Sequence, residues 1–161
     1  MDNTKESIRH LSLCAGYGGI DLGLRRVLPE CRTVAYVEIE AFAIQNLVDK
    51  IETEQLDPAP VYTDVKSFPF KEFRGCVDIL SGGFPCQPFS ISGKHKGLND
   101  DRSQVFPELV RIIRETQPQV FILENVKHIK HISGGFVFDY INKELENSGY
   151  HLEYKVLNAS K

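Results

Sequence analysis

At 161 residues, with 42% hydrophobic and 25% charged side chains, the chain has the size and composition of one globular domain with a sizeable core. A net charge of −3 argues against a nucleic-acid binder that relies only on its own basic surface. Residues 1–10 are polar, with no signal core, and no apolar run approaches membrane-spanning length, so a cytoplasmic protein without membrane contact is expected. The four cysteines, Cys14, Cys31, Cys76 and Cys86, form no Cys-x-x-Cys pair and no histidine spacing completes a zinc site. Neither a metal centre nor a disulfide is expected.

Residues 8–14 read as a short apolar strand, which runs into Ala15-Gly16-Tyr17-Gly18-Gly19 and then a helix start at Ile20. Strand, glycine turn and helix open a nucleotide-binding βαβ unit, because glycine permits positive φ and close approach of a ligand. The spacing is not Gly-x-Gly-x-x-Gly, and a plain tight turn accounts for the residues equally well. A second strand, 33–37, ends at Glu38, an acid placed to accept hydrogen bonds from ribose hydroxyls. The alternative for Glu38 is a solvated glutamate at a helix start. Residues 41–51 predict a helix whose apolar stripe is Ile44, Leu47, Val48 and Ile51. After a polar loop, Val61-Tyr62 predict a short third strand leading to Asp64-Val65. An aspartate there suits the exocyclic amine of an adenine, and equally an ordinary turn.

The chemistry concentrates in the stretch from Val77 to Ser90. An apolar run of buried-strand type breaks at Gly82-Gly83 and turns at Pro85, and Cys86 follows. Ligands in open α/β sheets sit beyond the carboxyl ends of strands, so a thiol delivered there is placed as a nucleophile. A lone cysteine is also commonly a small buried hydrophobe. The glycine-punctuated, basic segment 90–97 reads as a loop able to close over a polyanion, or as an ordinary solvated loop. A helix over about 104–116 buries Phe106, Leu109, Val110 and Ile113 and stops at Gln117-Pro118. Val120-Phe121-Ile122-Leu123 predict a fully apolar strand ending in Glu124-Asn125-Val126. A thiol adding to a ring needs a proton donor across that ring, a role for Glu124; a helix cap or ion pair is the alternative. Lys127-His128-Ile129-Lys130-His131 is a basic cluster that reads first as a solvated face. A helix over 135–148 carries Phe138, Ile141 and Leu145, and the alternation of 152–157 predicts a last strand.

Phe84-Pro85-Cys86-Gln87 after one strand and Glu124-Asn125-Val126 after the next resemble the DNA (cytosine-5)-methyltransferases. Ala15-Gly16-Tyr17-Gly18-Gly19, Glu38, Asp64-Val65, Phe89-Ser90, Asp101-Arg102 and Val156-Leu157-Asn158-Ala159 match in order, so the resemblance covers residues 8–160. It implies a Rossmann-like α/β methyltransferase fold, with a mostly parallel sheet flanked by helices. It implies S-adenosylmethionine as cofactor and a cytosine flipped out of double-stranded DNA as substrate. In that reading Cys86 attacks C6 and Glu124 holds N3 and the amino group. Phe84, Pro85, Gln87, Asn125 and Val126 shape the base pocket, and Ser90 contacts phosphate. Gly16, Tyr17, Gly18 and Gly19 cradle the cofactor, Glu38 binds its ribose, and Ile39, Asp64 and Val65 line its adenine. Cys14 stands where the family commonly has phenylalanine.

The family's Gln-x-Arg-x-Arg segment, target-recognition domain and closing C-terminal segment do not follow residue 158. The expectation is therefore a catalytic domain over 1–161 whose sheet is incomplete at its C-terminal end, needing a complementary C-terminal partner and nearly inactive alone. A non-catalytic remnant that binds cofactor or a partner, and an RNA-directed enzyme with the same chemistry, are the alternatives.

Overall fold

The computed structural model describes residues 7–84 and 105–158. They fall into two compact units, one of residues 7–84 and 115–124, the other of 105–114 and 125–158.

The first unit is built on a five-stranded sheet with strands β1 (Ile8–Leu13), β2 (Cys31–Val37), β3 (Val61–Tyr62), β4 (Ile79–Gly83) and β5 (Val120–Glu124). Their order is β3-β2-β1-β4-β5, and every neighbouring pair is parallel. Helices α1 (Gly19–Val27) and α2 (Ala41–Glu52) connect the first three strands. The chain thus builds outward from β1 to β3, then returns to the other side of β1 with β4. That reversal is a topological switch point at the carboxyl ends of β1 and β4, the place where doubly wound sheets bind ligands.

Both helices cover one face. Ser12 is in register with Tyr36; the Ser12 hydroxyl donates to Asp21 of α1 (2.9 Å), and Tyr36 packs with Leu47 of α2. Leu24 of α1 packs with Cys31 and Ile79. Tyr36 reaches this face because Val34 is unpaired: His10 aligns with Thr33, but Leu11 aligns with Ala35. This is a β-bulge, one residue extra on β2.

Under α1 lies a chain of buried polar groups. Thr33 Oγ1 donates to Asp21 Oδ1 (3.2 Å), and His10 Nδ1 lies 3.0 Å from the same Thr33 oxygen. With that hydroxyl proton directed to Asp21, the ring must donate through Nδ1–H and accept the Ser81 hydroxyl at Nε2 (2.8 Å). A neutral imidazole satisfies every member. At the other end of the sheet, Asp78 accepts from the Arg9 amide (2.8 Å), from Arg9 Nε (3.0 Å) and from Gln119 Nε2 (3.2 Å). Hydrogen bonding to Arg9 holds the Asp78 carboxyl below the usual carboxylate range.

One expectation is qualified and another changes. β5 is the apolar strand expected, but its apolar residues are not all buried: Val120 is 51% and Ile122 39% exposed. β5 is the outermost strand, in register with Ile79 and Ser81, and α1 and α2 lie over the β1–β3 side of that face. The strand expected over 152–157 is absent: residues 151–158 have no regular structure. No described strand pairs with them, and alternation alone does not hold an extended segment in a ladder. Instead, Tyr154 meets Phe138 edge-on (5.2 Å between centroids) and lies under Lys130 Nζ (4.3 Å).

The second unit carries most of α3 (Val105–Thr116), a 3₁₀ helix (Lys127–Gly135) and α4 (Phe136–Glu146). Arg114 fastens α3 to α4 through Glu144 Oε2 (2.9 Å) and Ser148 Oγ (2.8 Å). Leu109, Val110, Ile113, Ile141 and Leu145 are buried as their spacing predicts, and Ile112 joins them. The Phe106 side chain lies outside the described residues.

Burial lowers the His10 pKa, with the Asp21 and Asp57 charges opposing. In the unfolded chain a histidine takes up its proton near pH ~6.5. The buried ring does so only at lower pH, so the unfolded state binds more protons in between. Stability is therefore full above pH ~6.5 and falls as the pH drops below it. A series of thermal melts should show this acid limb, and His10→Gln should flatten it.

Candidate functional site

Because all five strands are parallel, their carboxyl ends lie along one edge of the sheet. Read across from β3, that edge carries Asp64, Glu38, the turn after Cys14, Phe84 and Glu124. Residues predicted from separate stretches of sequence are thus brought to one side. Pro85, Cys86, Gln87 and Ser90 lie outside the described residues. Asn125 and Val126 follow Glu124 and belong to the second unit; the Val126 amide donates to Asn125 Oδ1 (2.9 Å), and the Val126 side chain is exposed.

The glycine turn is shaped by its sequence. The Gly18 amide donates to the Ala15 carbonyl (2.8 Å), closing a β-turn. Gly16 has φ of 54° and Gly18 φ of 72°, values that an L side chain rarely adopts. A Cβ on Gly18 would also lie 2.8 Å from Leu56 Cδ1, so the turn sits directly on that leucine. Helix α1 then starts with no side-chain cap, leaving its first amides open to an anionic group. Cys14 shares the strained region with φ of 46°.

Glu38 is 7% exposed, and its carboxylate is already engaged. Oε2 accepts from the Gly16 amide (2.7 Å), and Oε1 accepts from the amides of Ile39 (2.8 Å) and Glu40 (2.9 Å). One side chain therefore ties the glycine turn to the start of α2. Sequence reading missed this role, although an acid three residues before the first helical position, Ala41, was a signal for it. The helix-start alternative was right about position but not about solvation. A carboxylate offers about four acceptor sites, and these amides use three of them.

Around Glu38 the surface is apolar and open. Ile39 is 72%, Phe42 76% and Tyr17 54% exposed, and the Tyr17 and Phe42 rings meet edge-on at 6.4 Å. Phe42 was not among the predicted site residues. Asp64 Oδ1 accepts from the Lys66 amide (2.8 Å), holding the turn after β3 with Val65 half-buried beside it.

On the other side of the switch point, β4 runs through both glycines instead of stopping at them. A Cβ on Gly82 would lie 2.5 Å from Phe84 Cε2, so the Phe84 ring folds back into the space that glycine leaves and is buried. Gly83 is in register with Glu124, and a Cβ there would lie 3.3 Å from Glu124 Oε2. Each bare backbone position makes room for a predicted site residue.

One further constellation has catalytic order without access. Ser81 Oγ, His10 and Asp21 are arranged as hydroxyl, base and acid, with His10 Nδ1 3.4 Å from Asp21 Oδ1. Their exposures are 1%, 0% and 4%, so no substrate reaches the hydroxyl and the group is structural. No cluster of three or more metal-ligating side chains occurs among the described residues. No described helix is long and apolar enough to cross a membrane.

Two outcomes follow. Glu38→Ala strands three amides and should lower stability by about 2–4 kcal/mol in denaturant melts, with Glu38→Gln costing less. Burial, with the Glu38 charge adding to it, pushes the Cys14 thiol up to about 11. At pH 8, site-resolved mass spectrometry should find Cys14 alkylated far more slowly than the exposed Cys76.

Comparison with known proteins gives a consistent picture. Residues 8–161 match the family described as C-5 cytosine-specific DNA methylase. The type II methyltransferase M.NlaX of Neisseria lactamica is 38% identical over 149 residues, 92% of this chain and 46% of the relative. M.PspPI of Psychrobacter is 37% identical over 150 residues, 92% of this chain and 35% of the relative. M.HhaI of Haemophilus parahaemolyticus is 34% identical over 158 residues, 98% of this chain and 46% of the relative. The chain thus spans less than half the length of these relatives. Among solved structures, a Spodoptera frugiperda DNMT2 variant superposes with a TM-score of 0.63 at 26% identity, covering 86% of this chain and 41% of that one. S. pombe Dnmt2 methyltransferase has the same fold, with a TM-score of 0.66 at 22% identity over 87% of this chain and 42% of that one.

Proposed function

The chain belongs to the C-5 cytosine-specific DNA methylase family, and from that membership we propose that it is the catalytic, cofactor-holding part of an enzyme that methylates C5 of cytosine in DNA. The observation that carries the proposal is the order of groups along one sheet edge. Asp64, Glu38 and the glycine turn lie on the β3-β2-β1 side, and Phe84 and Glu124 on the β4-β5 side.

The open α1 amides, the spare acceptor site of Glu38 and the exposed Ile39 and Tyr17 suit the carboxylate, ribose and adenine of S-adenosylmethionine. That cofactor supplies the methyl group as a sulfonium. Gly16, Tyr17, Gly18 and Gly19 would hold it through their backbone, Glu38 through the ribose, and Ile39, Asp64 and Val65 through the adenine. The Cys86 thiolate adds to C6 of a flipped cytosine, while Glu124 holds N3 and the amino group as charge moves onto the ring. C5 would take the methyl from the sulfonium, which leaves as the neutral thioether; loss of the C5 proton to a base would then expel Cys86 from C6 as the thiolate. Phe84, Pro85, Gln87, Asn125 and Val126 bound the base, and Ser90 contacts phosphate.

Recognition of the surrounding duplex is assigned to a part of the enzyme beyond this catalytic portion, in the same polypeptide or in a second chain. Its support is the match to only 35–46% of the relatives' length. A cytoplasmic location fits a partner that is DNA.

The test is methyl transfer to duplex DNA by the enzyme assembled with the recognition part of a relative. Cys86→Ala should abolish transfer while calorimetry still detects S-adenosylmethionine binding. Transfer retained in that variant would remove Cys86 as nucleophile. Absence of cofactor binding in the parent protein would remove the cofactor assignment.

A further inference from the structure

The glycine turn has a second charged holder, on α2. Lys50, in the last turn of that helix, donates from Nζ to the Tyr17 carbonyl at 2.6 Å, and its ammonium lies 5.9 Å from the centre of the Tyr17 ring. The backbone of the same residue acts on the turn from another direction. The Lys50 carbonyl accepts from the amides of Gln55 (2.8 Å) and Leu56 (3.1 Å), fixing the tight turn after α2. That turn presents the Leu56 side chain against Gly18. Arg25 of α1 braces it, donating to the carbonyls of Glu54 (3.3 Å) and Gln55 (3.0 Å).

We propose that Lys50 is a positioning residue for the cofactor turn: its ammonium fixes the orientation of the Tyr17–Gly18 peptide, as the Glu38 carboxylate fixes the amide of Gly16. The inference rests on the reading of this turn as the S-adenosylmethionine site. A carboxylate on an N–H and an ammonium on a C=O, both charge-assisted, hold the two ends of a four-residue turn that would otherwise sample several glycine conformations. Holding it before the ligand arrives removes an ordering cost from binding. Lys50 touches no reacting atom in this role, so its loss acts on cofactor affinity and not on the methyl-transfer step.

The experiment compares the parent chain with Lys50→Met, which keeps the apolar stem and removes the ammonium, and with Lys50→Arg, which restores a charged donor. Arg26→Ala, on the exposed side of α1, serves as control. Calorimetry gives S-adenosylmethionine affinity, and amide hydrogen exchange without cofactor reports order at residues 16–19. Lys50→Met should bind the cofactor about tenfold more weakly, a loss of roughly 1.4 kcal/mol. It should exchange faster at residues 16–19, with the sheet amides and melting temperature little changed; Lys50→Arg should recover part of both. Unchanged affinity together with unchanged exchange in Lys50→Met would overturn the proposal. A uniform rise in exchange across the sheet would overturn it too, by showing a purely structural role. If the parent chain binds no S-adenosylmethionine, the cofactor reading falls, and the exchange at 16–19 still decides whether Lys50 holds the turn.

Discussion

Three backbone amides meet on one buried carboxylate, and the β2-β1 side of the sheet edge depends on it. Glu38 joins the turn after β1 to the first residues of α2. Parallel sheets place their functional loops at one edge, but they do not fix those loops relative to one another, since each leaves its strand through its own flexible residues. Here an acid at the end of β2 reaches sideways and closes that freedom. The energetic logic is that of a satisfied buried charge: with three donors it is stable, and with fewer it would be a liability. The fold alone therefore holds this acid in place.

The β4-β5 side is organised by absence. Gly82 gives its volume to the Phe84 ring, and Gly83 leaves the space over which the Glu124 carboxylate lies. Where the β2-β1 side uses hydrogen bonds to fix a turn, this side uses bare backbone to admit side chains. The opposite edge is closed by Asp78 with Arg9 and Gln119, which joins the starts of β1, β4 and β5. The strands are thus pinned where they begin, and their carboxyl ends are left for chemistry.

Much of this was legible in the sequence. The apolar runs pointed to five strands, the apolar stripes to α2, α3 and α4, and the glycine turn to α1; the glycines and acids expected at strand ends do lie at the carboxyl edge. What escaped depends on neighbours distant in sequence. The exposure of Val120 and Ile122 follows from which strand is outermost, and composition does not encode that. Residues 152–157 alternate as a strand does, but a strand needs a partner. His10 looked like an unremarkable residue in an apolar run, because its partners Thr33 and Ser81 lie 23 and 71 residues away. For Glu38 the helix-start alternative had the position right, but its burial and its bond to the Gly16 amide depend on a turn 22 residues away.

The unpaired Val34 has its own consequence for how this chain tolerates change. Counted strictly from Cys31, alternation would put Tyr36 on the side of Arg32, away from α2. The extra residue resets the count, so that Thr33 and Tyr36 share a face. Removing Val34 alone would leave Ala35 and Tyr36 facing as they do now, with a straighter strand. Removing any other single residue of β2, with the bulge kept, would invert every side chain on one side of the gap. Val34 is thus the slack link of the central sheet, the place in β2 where one residue can be lost without turning the core inside out.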